Sequence, residues 1–299
     1  MIKPKYLSKG STIAIVSTAR KLSLKEVEPA ISFLENEGFN VILGENLFED
    51  FNQFAGDDNQ RAADLQSAMD NIEVDAILCA RGGYGTVRII DKIDFTNFKK
   101  NPKWICGYSD VTVLHSHIHN LGIETLHATM PLNFPENGDV NRAMETLINS
   151  LKGESSDYVF KPEKLSKQGE VEAEICGGNL SILYSLMGSS SEIDTEGKIL
   201  FIEDLDEYLY HIDRMMMNLK RAGKLDKLSA LIVGGMNDMN DNKVPFGKSA
   251  YEIIWDTVKD YNYPVCFGFP AGHIEDNFAI KMGAKAVLKI SEDLVVFQQ

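Results

Sequence analysis

The sequence predicts an α/β protein: an N-terminal doubly wound, mostly parallel sheet, then a second, smaller, β-rich α/β domain. Three observations predict it. Short apolar runs alternate with amphipathic helical stretches through the first half of the chain, the pattern of parallel strands joined by helical crossovers. Two of those runs end directly in glycine turns, Arg81-Gly-Gly-Tyr-Gly85 and the turn at Gly107, and open α/β sheets bind ligands at the carboxyl ends of their strands. The character then changes over Lys152–Gln168, which is polar, aperiodic and contains Gly153, Ser155, Ser156 and Pro162. That break reads as a domain crossing. The expected division is an N-terminal α/β domain over 1–152, a linker over 153–168 and a C-terminal domain over 169–299.

Each element follows from local pattern. Thr12–Ser17 is an apolar strand. Ser23 and Glu26 form a capping-box pair that opens a helix with Val27, Ile31 and Leu34 on one face, stopped at Gly38. Asn40–Leu43 is a second strand, and Asn59–Met69 a helix with Ala62, Leu65 and Met69 in phase. Val74–Ala80 is a strand, followed by the glycine turn and a short helix over Thr86–Ile90. Trp104–Cys106 ends a buried strand, and from Val111 the residues Val111, Leu114, Ile118 and Leu121 recur at helical spacing. Glu124–Ala128 is a short strand, and a helix lies within Gly138–Leu151.

The second half restarts with Val171–Ile175, alternating as a half-exposed strand, and Cys176-Gly-Gly-Asn-Leu180 leads into a helix. Lys198–Asp204 is a strand. Tyr208–Ala222 is a helix with Tyr208, Ile212, Met215 and Leu219 inward and Lys220, Arg221 and Gly223 at its end. Ala230–Val233 and Pro264–Phe267 are strands around a helix at Ser249–Lys259, and Ala279–Phe297 reads as short antiparallel strands.

Composition narrows the function. The 299 residues hold 30 basic and 44 acidic side chains, a formal net charge of −14. That excess of negative charge disfavours nucleic acid, whose phosphates need neutralising cations, and an anionic membrane surface. No apolar run approaches the roughly 20 residues of a membrane span, and the basic start carries no signal-peptide core. The four cysteines, Cys79, Cys106, Cys176 and Cys266, each sit in or beside apolar runs and form no C-x-x-C pair. Buried thiols in a reducing, cytoplasmic compartment explain them best.

Chemistry-bearing residues gather at the strand ends. Ser109 lies in a strand-to-helix turn, the setting of a nucleophile elbow, although Gly107-x-Ser109-Asp110 lacks the second glycine of the hydrolase motif. Taken alone the stretch reads more readily as a helix N-cap. The paired glycines Gly82 and Gly83 let backbone N–H groups approach a ligand, or simply make a tight turn. They do not match the dinucleotide fingerprint, so no nicotinamide cofactor is expected. Glu203 ends an apolar strand, where an unpaired carboxylate is costly, and His273 follows Pro270 in a loop where a general base can sit. His115 and His119 stand four apart on a helix, but Ser116 occupies the position where a zinc protease carries Glu. They read as helix-surface histidines, and no metal is expected. Met215–Met217 reads as core filler, and the acidic loop Asn237–Asn242 lacks the glycine and terminal Glu of a calcium loop.

Five stretches together, Arg81-Gly-Gly-Tyr-Gly85, Gly107-Tyr-Ser-Asp-Val-Thr112, Gly177-Gly-Asn-Leu180, Phe201-Ile-Glu-Asp204 and Pro270-Ala-Gly-His273, resemble the LD-carboxypeptidase family of serine peptidases, which includes muramoyltetrapeptide carboxypeptidases and related microcin-immunity peptidases. The resemblance implies Ser109 as nucleophile, Glu203 as orienting acid and His273 as base, with oxyanion donors on the backbone of Asp110 and of the Gly82-Gly83 turn. It implies a cytoplasmic homodimer, no cofactor, and a murein tetrapeptide substrate that loses its terminal D-alanine. Arg81 is the expected partner of the substrate carboxylate, since a guanidinium fork suits that group. Two alternatives stay open: a microcin-type peptide or acyl-nucleotide hydrolase with the same triad, and a non-enzymatic two-domain small-ligand binding module.

Overall fold

The structure is a computed structural model that describes residues 1–155 and 157–299. Ser156, within the expected linker, lies outside the described residues. The first half runs β1 (Thr12–Val16), α1 (Leu24–Asn36), β2 (Asn40–Leu43), α2 (Asp58–Asp70), β3 (Ala76–Cys79), α3 (Thr86–Ile89), α4 (Thr96–Lys100), β4 (Trp104–Gly107), α5 (Thr112–Asn120), β5 (Thr125–His127) and α6 (Arg142–Lys152). The second half runs β6 (Asp157–Phe160), β7 (Gly169–Asn179), α7 (Leu180–Ser185), β8 (Ile199–Leu205), α8 (Leu209–Arg221), β9 (Ala230–Asn237), α9 (Ala250–Val258), β10 (Val265–Phe267), β11 (Ile280–Met282), β12 (Lys285–Ile290) and β13 (Val295–Gln298).

Among the described residues these strands make two sheets, one of six strands in the order β11-β5-β4-β3-β1-β2 and one of seven in the order β10-β9-β8-β7-β12-β13-β6. β1 to β5 are parallel, as the strand–helix alternation predicts. The strand order reverses between β1 and β3, the position where open α/β sheets form a ligand crevice. Period-two alternation gives each strand two buried faces. Ala14, Val16, Ile77 and Cys79 join Ile105, Phe98 and Leu114 on one side, while Ile13, Ile15 and Leu78 join Leu34, Trp104 and Leu147 on the other. Each large apolar side chain buried this way contributes about 1.5–3 kcal/mol. All four cysteines are free and buried.

The second sheet is parallel over β7 to β10 and antiparallel over β12, β13 and β6. Two features depart from the sequence expectation. The segment 153–168 is not wholly linker, because it carries β6, which pairs with β13. Tyr158 there is buried and Val159 exposed, an alternation too short to stand out within polar sequence. The strand-rich tail also does not stay in one sheet. β11 crosses back and pairs antiparallel with β5, Ile280 opposite His127, while β12 and β13 remain in the second sheet.

The loops at the carboxyl ends of β1 and β3 are held by Arg61 of α2, whose side chain is 1% exposed. Its Nη1 donates to Thr18 O at 2.6 Å and Gly85 O at 3.0 Å. Its Nη2 pairs with Asp58, and its guanidinium lies 4.8 Å from the Phe54 ring centroid. Asp58 keeps a second partner in Arg88, at 2.7 Å. Arg61→Met therefore strips two buried carbonyls of their donor without orphaning Asp58. We expect a loss of about 2–4 kcal/mol, read as a lower urea midpoint at unchanged slope. An unchanged midpoint would refute this role.

Candidate active site

β4 is buried over its whole length and breaks at Gly107. Ser109 follows with φ +63°, a left-handed conformation that costs a non-glycine residue about 1–2 kcal/mol. A short 3-10 turn over Ser109–Val111 then passes into α5. The Gly107 carbonyl accepts from Ala128 N at 3.1 Å and from His115 Nε2 at 2.9 Å. A carbonyl cannot donate, so His115 carries its proton on Nε2, and Nδ1 accepts from the Thr125 hydroxyl at 2.8 Å. Burial pushes His115 down to about 4, against the raising effect of the Gly107 bond. His115 is 1% exposed. It is a buried prop of the elbow rather than the surface histidine expected, and His119 is buried as well. The periodicity carried that signal, because His115 stands four residues after Val111 on the same helix face.

The glycine turn after β3 lies against the elbow. A Cβ on Gly82 would sit 2.9 Å from Ser109 Cβ and 3.0 Å from its Oγ. Only glycine leaves room for the serine there. The Asp110 side chain ties the two turns together, its Oδ2 accepting from Thr86 N at 2.8 Å. Burial raises the Asp110 pKa, while the Thr86 hydroxyl and N–H, Arg61 and Arg20 pull against that rise. Ser109 Oγ and the Asp110 backbone N–H thus both face the Gly82 turn, an arrangement able to surround a developing oxyanion.

The second sheet supplies a carboxylate–imidazole pair. Glu203 on β8 is fully buried, and its Oε2 accepts from His273 Nδ1 at 2.7 Å and from His273 N at 3.2 Å. Gly272 makes this possible: its φ is +108°, and a Cβ there would meet Glu203 Oε2 at 2.8 Å. Burial lowers the His273 pKa, but the hydrogen bond and charge of Glu203, with the charge of Asp204, outweigh it and the net shift is upward. Because Nδ1–H is given to the carboxylate, Nε2 is left with its lone pair when the ring is neutral.

Tyr108 joins the halves. Its ring meets the His273 ring edge-on at 4.8 Å between centroids, and its hydroxyl donates to Asn133 Oδ1 at 3.3 Å. Burial first, then the Glu203 charge, pushes that phenol up to about 12, so it stays a donor. Of the expected residues, Glu203 pairs with His273, Gly82 abuts Ser109, and Asp110 caps the glycine turn. Ser109 Oγ itself takes part in no hydrogen bond among the described residues, to His273 or to any other group. Gly83 packs against the Arg20 stem, and Arg81 turns its Nη1 to the Lys21 carbonyl at 2.9 Å. Sequence reasoning missed Tyr108, Arg61 and Thr112, although Tyr108 and Thr112 lie inside the Gly107–Thr112 motif.

Comparison with known proteins fits this geometry. Residues 13–128 match the model of the LD-carboxypeptidase N-terminal domain and residues 172–288 that of the LD-carboxypeptidase C-terminal domain. The chain is 38% identical over 300 residues to a probable murein peptide carboxypeptidase of Bacillus subtilis, covering 99% of this chain and 94% of that one. It is 26% identical to the microcin C7 self-immunity protein of Escherichia coli, over 94% of this chain and 91% of that one. The crystal structure of muramoyltetrapeptide carboxypeptidase from Oxalobacter formigenes superposes with a TM-score of 0.88 at 25% identity, covering 96% of this chain and 98% of that one. With both domain models matched in order and a relative alike along nearly its whole length, this chain belongs to the LD-carboxypeptidase family of serine peptidases.

Proposed function

We propose that this enzyme is a serine carboxypeptidase that cleaves the L,D-peptide bond of murein tetrapeptides and releases terminal D-alanine, as in cell-wall recycling. The observation that carries the reading is the Glu203–His273 pair, set through Tyr108 beside a positive-φ serine whose hydroxyl is unengaged. In the proposed mechanism His273 Nε2 takes the proton of Ser109 Oγ as that oxygen attacks the scissile carbonyl. Glu203 holds the imidazole tautomer and stabilises the imidazolium. Backbone N–H groups of Asp110 and of the Gly82-Gly83 turn receive the oxyanion. His273 then returns the proton to the leaving D-alanine nitrogen, and water releases the acyl group from Ser109. Arg81 is assigned to the substrate carboxylate. The names of the Bacillus subtilis and Oxalobacter formigenes relatives support murein peptide as the substrate.

The assignment divides the labour between units over 1–152 and 169–299, with β6 added to the second and β11 lent to the first. A cytoplasmic location is supported by four free, buried thiols, and no helix among the described residues is long and apolar enough to cross a membrane. A homodimer is proposed on the family resemblance.

Incubation with murein tetrapeptide, followed by assay of free D-alanine, tests the reading. Wild type is expected to release D-alanine, and Ser109→Ala to be slower by at least about a thousandfold. Release by both proteins would sink the nucleophile assignment. Cleavage of an acyl-nucleotide with none of the tetrapeptide would shift the function to the microcin-type alternative.

The pH profile gives a second test. A base raised above its ordinary 6.5 must lose its proton to act, so kcat/KM is expected to climb with pH through a midpoint above 6.5. Glu203→Gln removes the raising charge and leaves the burial, so the midpoint should fall and the plateau rate drop. The stability side has the opposite sign. The pair's contribution is complete below pH 6.5 and fades as pH rises through the folded pKa of His273. An ascending limb unmoved by Glu203→Gln would disprove the pairing.

A further inference from the structure

Two guanidiniums flank the glycine turn, and the mechanism does not explain both. Arg81 opens the turn. Arg20, in the loop after β1, lies across it with its stem on Gly83, where a Cβ would come within 2.6 Å of Arg20 Cδ. Arg81 reaches toward the same loop through its bond to the Lys21 carbonyl. Both arginines line one cavity of about 900 Å³. The neighbouring Lys21 is neutralised by Asp50 at 2.7 Å. Neither arginine has a carboxylate in salt-bridge contact among the described residues, and Arg81 Nε is buried without a partner. Glu26, Glu49 and Asp50 line the cavity too, and the Ser23 bonds, with the Arg81 charge after them, lower the Glu26 pKa. With Lys21 taken by Asp50, though, the two guanidiniums are the cations of this wall that no carboxylate among the described residues holds at salt-bridge distance. The cavity also has an apolar ledge, where Leu24 and Phe48 are 46% and 38% exposed. It opens at the β1/β3 reversal of strand order, beside the turn that faces Ser109.

We propose that Arg20 and Arg81 together form the carboxylate subsite of this enzyme and grip a substrate carboxylate at the edge of the oxyanion turn. The proposal rests on the carboxypeptidase reading and deepens it by adding Arg20 and the cavity. Guanidinium forks match carboxylate oxygens two by two, a geometry an ammonium group cannot offer. The carboxylate has two sources, the terminal one of the leaving D-amino acid and one on the acyl portion of the peptide.

The test compares three tetrapeptides on wild type and Arg20→Gln: fully charged, amidated at the C-terminus, and amidated on the acyl portion. Glutamine keeps methylenes against Gly83 and removes the charge. For the charged peptide KM should rise about tenfold or more, with kcat within about twofold. Arg20→Gln should also lose discrimination against one amidated form, and that form identifies the source. Arg20→Lys should restore only part of the affinity. Equal losses on all three peptides, a fall confined to kcat, or no change would overturn the subsite. Calorimetry of the charged peptide on Ser109→Ala separates the two readings. Arg20-dependent binding without hydrolysis by wild type keeps the subsite and rejects the carboxypeptidase. Hydrolysis with a KM indifferent to Arg20 does the reverse.

Discussion

The two sheets are held in register by a buried polar seam, and the site depends on it. Thr112, three residues after the nucleophile candidate, accepts Asn179 N–H on its hydroxyl at 2.9 Å. Asn179 Nδ2 donates to Asp204 Oδ1 at 3.0 Å, and Asp204 Oδ2 accepts from Ser181 N at 2.9 Å. Asp204 is the chain neighbour of Glu203, which holds His273. Gly178 lets β7 lie directly on α5, since a Cβ there would stand 2.5 Å from Thr112 Oγ1. An unbroken run of hydrogen bonds and peptide links thus joins the elbow helix to the carboxylate–imidazole pair. The seam is not free. Burial, then the charge of Glu203, raises Asp204 to about 7. A folded pKa above the unfolded value of 3.8 means that stability falls as pH climbs from there, with the full cost present above about 7. The bonds from Asn179, Ser181 and Leu205 N offset part of that cost.

The same low-dielectric interior treats its histidines differently, and the partner decides. His115 bonds a carbonyl and a hydroxyl, and burial pushes it down to about 4. His127 lies fully buried between Phe201, Tyr108 and His115, with ring nitrogens that have no partner among the described residues, and burial pushes it well below its ordinary value. His273 alone of these three meets a carboxylate, and it moves up. Neutral rings at His115 and His127 add no positive charge near His273. The contrast supports the proton-transfer role proposed for His273.

The parallel sheet and the three triad candidates were legible because their signals are local: period-two apolar runs, a glycine after a strand, a carboxylate at the end of a buried run. What stayed hidden is non-local. β6 is four residues long and gains its place only through β13. β11 looks like the start of a hairpin and instead closes the edge of the first sheet at β5. Arg20 sits in a loop whose sequence says nothing of Gly83, more than 60 positions away. Arg61 reads as one more polar residue of an amphipathic helix until the loops after β1 and β3 close over it. His115 is the exception, since its helical phase, four residues after the buried Val111, marks it as inward.

A strained serine persists only where its surroundings over-determine it, and here every neighbour of Ser109 is committed. The Gly107 carbonyl accepts from both Ala128 N and His115 Nε2. Tyr108 is wedged against His273 and tethered to Asn133. The Asp110 carboxylate is fastened to the N–H of Thr86, and Val111 is buried in the core. Thr112 holds the second sheet. Across the gap Gly82 offers no side chain. Against these bonds and buried contacts, a backbone cost of about 1–2 kcal/mol for one left-handed residue is small. The conformation is therefore held by its flanks, and the hydroxyl of Ser109 is left without a structural task. An N-cap serine would spend that hydroxyl on the first N–H groups of the helix that follows it. In this turn the Asp110 carboxylate bonds the neighbouring glycine turn instead, and the unengaged serine favours the elbow reading over the helix cap.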